Sequence, residues 1–413
     1  MNILFLTLVN VKSLEEKNNI YADLCRCMIE HGNTVHVVCP TDGDADVSTN
    51  YDVYRKDNSV LKVRTGKVQK TNIIRKGFST LLIGQQLKRA IKKYHANNRF
   101  DMIIYSTPPI TVSPVVSFIK RRDNAVSYLL LKDIFPQNAV DLGMMQKTGL
   151  KAILYKYFRY KEKELYSLSD TIGCMSEKNV EYLLSNNEQI SKDIVHVSPN
   201  SIETTITRLT KEQKEFLREK YDIPKDKTVF IYGGNIGKPQ GVQFIIECLK
   251  AVANKENVFF VVCGNGTDFT VLRNYLCKQK QDNFMLLSGL PRDEYEEFVG
   301  CCDIGLLFLD YRFTIPNFPS RLLSYMQKSM PIIACTDMVT DIGTTIEEGK
   351  FGWWCPSNDV EKFVEIVDKT IEADICEMGR NASDYLKQNF SVEKSCEIIS
   401  EAYNNVMMKR KEI

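Results

Sequence analysis

Residues 228–266 read TVFIYGGNIGKPQGVQFIIECLKAVANKENVFFVVCGNG. An apolar run rich in β-branched and aromatic residues breaks at 233–241 into glycines and a Lys-Pro turn. An amphipathic stretch follows at 240–252, and a second apolar run, 258–264, ends on Gly264-x-Gly266. Near-continuous apolar strands that alternate with amphipathic helices predict a parallel sheet covered on both faces. The alternation extends in both directions. Later strands are expected at 284–289, 304–309 and 331–337, with helices at 292–300 and 359–371. An earlier series has strands at 2–9, 34–40, 102–107, 126–133, 171–176 and 194–198, with helices at 17–31, 77–94 and 151–167. The polar segment NSIETTITRLTKEQKEF (200–216) parts the two series. The expectation is an α/β protein of two doubly wound domains, 1–200 and 201–390, facing each other across a cleft. A last helix within 391–413 either caps the second domain or returns to the first.

Composition fits this reading. The chain has 413 residues, 44% of them hydrophobic and 26% charged, an ordinary globular mixture long enough for two cores. A net charge of +2 implies no nucleic-acid partner. No apolar run is long enough to span a membrane, and MNILFLTLV lacks the basic region of a signal peptide, so it reads as a first strand. Thirteen cysteines without C-x-x-C, several inside apolar runs, read as buried free thiols of a reducing cytoplasm. The four histidines show no ligand spacing, so no metal is expected. Charge is unevenly spread, however. Residues 51–100 hold eight lysines and five arginines against two aspartates and no glutamate. Within them, 70–94 pairs an apolar stripe (Ile74, Phe78, Leu81, Leu82, Leu87, Ile91) with a basic face that includes Lys88, Arg89, Lys92 and Lys93.

In open parallel sheets, ligands bind beyond the carboxyl ends of the strands. In the second domain those ends carry 233–241, 264–266, 289–294 and the loop FTIPNFPSRLLSYMQKSMPIIA (313–334). Neither the dinucleotide pattern G-x-G-x-x-G after a first strand nor a Walker loop occurs, which disfavours hydride and NTPase chemistry. In the quoted loop, Arg321 opens a short helix, where a positive charge opposes the helix dipole. It makes sense if an anion completes the site. Arg321 supplies a fork for paired phosphate oxygens and Lys238 a point charge. Together with N–H groups from Ser320 to Leu323 they would hold a diphosphate without metal.

Eight segments in order carry a resemblance: KDIFPQNAVDLGMM (132–145), MSEKNVEYL (175–183), SPNSIE (198–203), YGGNIGKPQGV (232–242), VVCGNG (261–266), CDIGLLFL (302–309), FPSRLLSYMQKSMPIIA (318–334) and IEEGKFGWWCPSNDVEKF (346–363). Over essentially its full length the chain resembles the retaining GT-B glycosyltransferases of glycosyltransferase family 4. It looks closest to the bacterial N-acetylfucosamine-transferase-like branch of surface-polysaccharide biosynthesis.

The resemblance implies two Rossmann-like domains. The second would hold a nucleotide-sugar donor through Gly234, Asn235, Lys238, Gly264, Gly266, Ser288, Gly289, Leu290, Pro319, Ser320, Arg321, Leu322 and Ser324. The first would take the acceptor, with Asp133 orienting its hydroxyl and Asn10 nearby. Lys238 and Arg321 would stabilise the leaving diphosphate, and Asp133 completes the catalytic set. The implied reaction transfers an N-acetylated hexosamine or 6-deoxy relative, with retention, from a UDP-sugar to a saccharide on a polyprenyl diphosphate. The enzyme would need no cofactor and would dock peripherally on the anionic inner face of the cell membrane beside the basic 66–93 stretch.

Departures are plain. Two glutamates common in the family fall on Pro316 and Ser324, an arginine falls on Asn235, and a histidine before Asp133 is Lys132. The missing glutamates motivate two further readings: a non-catalytic nucleotide-sugar-binding subunit, or a GT-B-fold nucleotide-sugar epimerase.

Overall fold

The computed structural model describes residues 1–17, 19–41, 48–65, 73–149, 152–278 and 283–412, with 73–81 described by backbone only. The chain divides into two units: Met1–Glu203 with Phe390–Ile413, and Thr204–Asn389.

The first unit is built on an eight-stranded sheet. Its strands are β1 (Asn2–Leu6), β2 (Thr34–Pro40), β3 (Asn50–Val53), β4 (Ser59–Val63), β5 (Met102–Ser106), β6 (Val126–Leu131), β7 (Thr171–Cys174) and β8 (Val195–Val197). Their order is β3-β4-β2-β1-β5-β6-β7-β8, and every pairing is parallel except β3 with β4. The central strands β1, β5 and β6 are buried on both faces. One face packs under helix α2 (Ile73–Tyr94) and helix α3 (Ser113–Asp123). The other packs under helix α1 (Ile20–Glu30) and the terminal helix Val392–Lys411, whose Val392, Cys396 and Ile399 join the core of Phe5, Leu24 and Met28. The end of the chain is thus part of the first unit. Among the expected stripe residues, Ile74, Phe78 and Leu81 lie outside the described side chains. Leu87 and Ile91 are buried, but Leu82 is 53% exposed and Ile83 takes its place. Positions 83, 87 and 91 recur every four residues, which keeps them on one helix face.

The second unit has a six-stranded parallel sheet, ordered β11-β10-β9-β12-β13-β14. The strands are β9 (Thr228–Asn235), β10 (Val258–Asn265), β11 (Phe284–Leu287), β12 (Ile304–Phe308), β13 (Ile332–Thr336) and β14 (Gly352–Pro356). Phe230 and Phe260 stack at 4.7 Å in a core that also holds Phe308 and Phe363. Both sheets are of the doubly wound, Rossmann-like kind.

The expected polar connector is partly a helix, Lys211–Lys220, capped by a reciprocal Thr210–Gln213 box. It is fastened to the second sheet because Lys214 and Arg218 each place a nitrogen 2.6 Å from the Asp303 carboxylate. Burial alone would raise the Asp303 pKa; the two cations hold it below the ordinary value.

Candidate functional site

The carboxyl end of β9 is where the second unit assembles its chemistry. β9 pairs with β12 only at Phe230 and Ile231, so its last residues leave that neighbour. The Tyr325 hydroxyl takes over. It donates to the Ile231 carbonyl at 3.1 Å and accepts from the Gly233 N–H at 3.2 Å. Tyr325 lies one helical turn beyond Arg321 in the helix Arg321–Gln327, so the turn that ties down β9 also aims Arg321 along it. The Arg321 guanidinium lies 4.8 Å from the Tyr232 ring centroid and over Gly234. Gly234 has φ +112°, and a Cβ there would come 1.8 Å from an Arg321 nitrogen. Only glycine allows this contact.

No carboxylate forms an ion pair with Arg321 among the described residues. Burial disfavours its charge, yet its pKa lies above the ordinary arginine value, with the oxygens of Tyr232, Tyr325 and Tyr295 around it. Burial also raises all three phenols, so they are neutral near pH 7. The site therefore carries a partly buried, permanent cation without a counter-charge. Such a group is costly unless an anion arrives.

The neighbouring turns complete this edge. Gly264 and Gly266 lie where β10 closes on β9: their Cβ atoms would fall 1.8 Å from the Gly234 oxygen and 2.2 Å from the Ile236 oxygen. Both glycines thus answer first to backbone packing. A side chain at Gly266 would therefore disturb the fold as well as any ligand. Cys263 is buried, which raises its thiol to about 11, while Ser288 and Gly289 are exposed and Leu290 is half-buried. Asn235 donates to Gln240 at 2.8 Å. Lys238 begins the turn Lys238–Gln240 as an exposed cation. That turn is braced from β12, because the Asp310 N–H donates to the Pro239 carbonyl at 2.9 Å. Asp310 in turn grips Arg312 with both oxygens, at 2.8 and 2.7 Å.

Two parts of the sequence reading need correction. The Leu322 N–H donates to the Pro319 carbonyl and the Leu323 N–H to the Ser320 carbonyl, so neither is free for phosphate. The Leu322 side chain is in the core. Ser324 is not the only polar group at its position. Glu296, from the helix Arg292–Gly300, approaches its hydroxyl at 3.5 Å and lies 3.3 Å from Lys328. The tyrosines and Glu296 escaped the sequence reading. Tyr325 could have been found, since it shares a helix face with Arg321; Tyr232 preceded the glycines. Tyr295 and Glu296 offered no local signal.

In the first unit, Asn10 follows β1 at the carboxyl edge, its side-chain oxygen buried without a hydrogen-bond partner among the described residues. Asp133 follows β6, accepts from Asn138 at 2.7 Å, and is fixed through its N–H to Thr107. Lys132 turns inward, donating to the Ser198 carbonyl at 2.9 Å, and burial lowers its pKa to about 7.

The basic residues do not join this edge. α2 connects parallel strands and runs antiparallel to them, which carries Lys88, Arg89, Lys92 and Lys93 in its last two turns to the amino edge. There Lys88 and Lys92 lie 5.5 and 5.1 Å from the Phe118 ring centroid. The expected adjacency of acceptor and basic face thus fails for these four. Residues 66–72 lie outside the described residues.

Comparison with known proteins agrees with this architecture. Residues 213–389, nearly the whole second unit, match the family Glycosyl transferases group 1. A probable glycosyltransferase of Pseudomonas aeruginosa, WbjE, is 24% identical over 324 residues, 78% of each chain. The putative colanic acid biosynthesis glycosyl transferase WcaI of Escherichia coli K12 is 22% identical over 248 residues, 60% of each. Among solved structures, the sucrose-phosphate synthase of Thermosynechococcus elongatus superposes with a TM-score of 0.72 at 14% identity, covering 99% of this chain and 100% of that one. Anabaena HepE in complex with UDP gives 0.68 at 13%, covering 98% and 100%. The fold is GT-B, and the second unit is similar over nearly all its length to group 1 glycosyl transferases.

Proposed function

We propose that this glycosyltransferase transfers a sugar, with retention and without a metal at the diphosphate, from a UDP-sugar to a lipid-linked saccharide in surface-polysaccharide assembly. The observation that carries the donor half is the Arg321 guanidinium, laid on Gly234 among three neutral phenols with no carboxylate partner. Fold neighbours captured with UDP and with UDP-glucose support the choice of nucleotide. In this reading Arg321 and Lys238 take the diphosphate, and the charge that grows on it as the sugar leaves is met by groups already in place. Glu296, with Ser324, supplies the carboxylate for the ribose hydroxyls. Asp133 orients the acceptor hydroxyl, while positioning provides the rest of the rate. The relative named for colanic acid biosynthesis supports a polysaccharide acceptor.

The site is tested with a panel of UDP-sugars, by thermal shift and by release of UDP with and without acceptor. Stabilisation by one donor and acceptor-dependent release support the proposal, and EDTA leaves the rate unchanged. A binding-only subunit would show stabilisation without turnover. An epimerase would convert the donor with no acceptor present. Loss of turnover on metal removal, restored by manganese or magnesium, overturns the metal-free reading.

Membrane docking belongs to the same proposal. Among the described residues no helix is long and apolar enough to cross a membrane. Lys88, Arg89, Lys92 and Lys93 have no carboxylate partner there, and an anionic bilayer attracts such residues by about 1 kcal/mol each.

A further inference from the structure

Cys27 and His31 stand one helical turn apart at the end of α1, and the terminal helix lays Cys396 against them. The ligand atoms of the three all lie within 4.8 Å of one another. We propose that Cys27, His31 and Cys396 form a zinc site that clamps the terminal helix to α1.

The geometry and chemistry agree. Cys27 Sγ is 3.7 Å from His31 Nδ1. With zinc–sulfur near 2.3 Å and zinc–nitrogen near 2.0–2.1 Å at tetrahedral angles, that edge comes to about 3.6 Å. These two atoms are therefore spaced close to a ligand pair. Two sulfurs and an imidazole select zinc over magnesium or calcium. Both thiols are 3% exposed while His31 is at the surface, so the ion has an entry path and a sheltered seat. The fourth position goes to water.

Binding has a proton balance. Both thiols must ionise, and His31 Nδ1 must give up the hydrogen bond it now shares with the Cys27 carbonyl at 2.8 Å. Protons are released, so affinity rises with pH. No other group of three described His, Cys, Asp or Glu residues brings its ligand atoms this close. The pair Cys335 and Cys355, 3.5 Å apart across β13 and β14, has no third ligand. The histidine spacings gave no hint of the site, because its third ligand comes from the far end of the chain.

The test uses the full chain, reduced and stripped of metal, with Cys277→Ser and Cys376→Ser to remove the two exposed thiols. It is titrated with Zn2+ alone and, in parallel, with Co2+. One zinc per chain, a thiolate-to-cobalt charge-transfer band and a zinc-dependent rise in Tm are expected. His31→Ala should weaken zinc at least about tenfold, since even supporting residues around a metal cost that much. His31 is exposed, so this variant should keep its circular dichroism; Cys396→Ser gives the second arm. Absence of zinc binding, equal affinity in His31→Ala, or a Cys27–Cys396 disulfide that reductant and zinc do not convert would overturn the proposal.

Discussion

At the scale of single residues, the candidate site turns on one contact, Arg321 over Gly234. Arg321→Ala should lower kcat/KM by roughly ten- to a thousandfold, the range for removing one preorganised donor of charge stabilisation. Gly234→Ala should do comparable harm without touching the arginine, because its methyl occupies the space of the guanidinium. A Gly234→Ala enzyme with normal kcat/KM would show that Arg321 does not work from this position. Glu296→Gln should raise KM for the donor more than it lowers kcat; the opposite split would remove Glu296 from ribose binding. Arg321 was legible in the sequence because a cation in a helix's first turn is locally unfavourable and so asks for a partner. Its phenol surround was not legible. Tyr232, Tyr295 and Tyr325 come from three elements, and an aromatic residue in an apolar run reads the same whether it fills a core or faces a cation.

Among the elements, α2 and the strands beside it are the most instructive. His36 of β2 and His95 just after α2 meet at 5.0 Å, and burial lowers both imidazoles to about 4. An imidazole whose folded pKa is depressed leaves the unfolded chain binding more protons between about pH 6.5 and 4. Stability is therefore complete above 6.5 and falls through that window, by up to about 1.4 kcal/mol per pH unit for each group. Urea denaturation from pH 7 to 4 should show this slope, and His95→Phe should flatten it; an unchanged slope would place the acid sensitivity elsewhere. The basic end of α2 has its own test. Co-sedimentation with anionic vesicles should weaken with salt and with neutralisation of Lys88, Arg89, Lys92 and Lys93, while equal recovery on neutral vesicles would sink membrane docking. A strand with an unbroken apolar run, such as β2, was legible to the residue. β3, β4 and β14 were not, since NYDV, SVLKV and GWWCP are short and carry polar residues or proline. The Leu82-for-Ile83 error arose because adjacent apolar residues fit an approximate helical period equally well.

For the molecule as a whole, the GT-B fold was legible because two long series of apolar strands each demand helices on both faces. The destination of the last helix was not, because an amphipathic face does not say which core it joins. In the structure Val392, Cys396 and Ile399 are buried against α1. A chain ended at Asn389 should therefore expose Leu24, Cys25 and Met28, lose much of the first unit's stability and bind a hydrophobic dye, while Thr204–Asn389 keeps its own core. Urea unfolding followed separately in each unit checks this; an unaltered first unit would show the helix to be dispensable. The same arrangement orders events during synthesis. Residues 1–203 leave the ribosome before the second unit, yet their covering helix is translated only after that entire intervening unit. A nascent chain must therefore carry a half-finished N-terminal unit, with an open greasy seam along α1, for most of its time on the ribosome. A stall late in the message leaves that seam open to chaperones and proteases, although every residue of the proposed donor site has already been made.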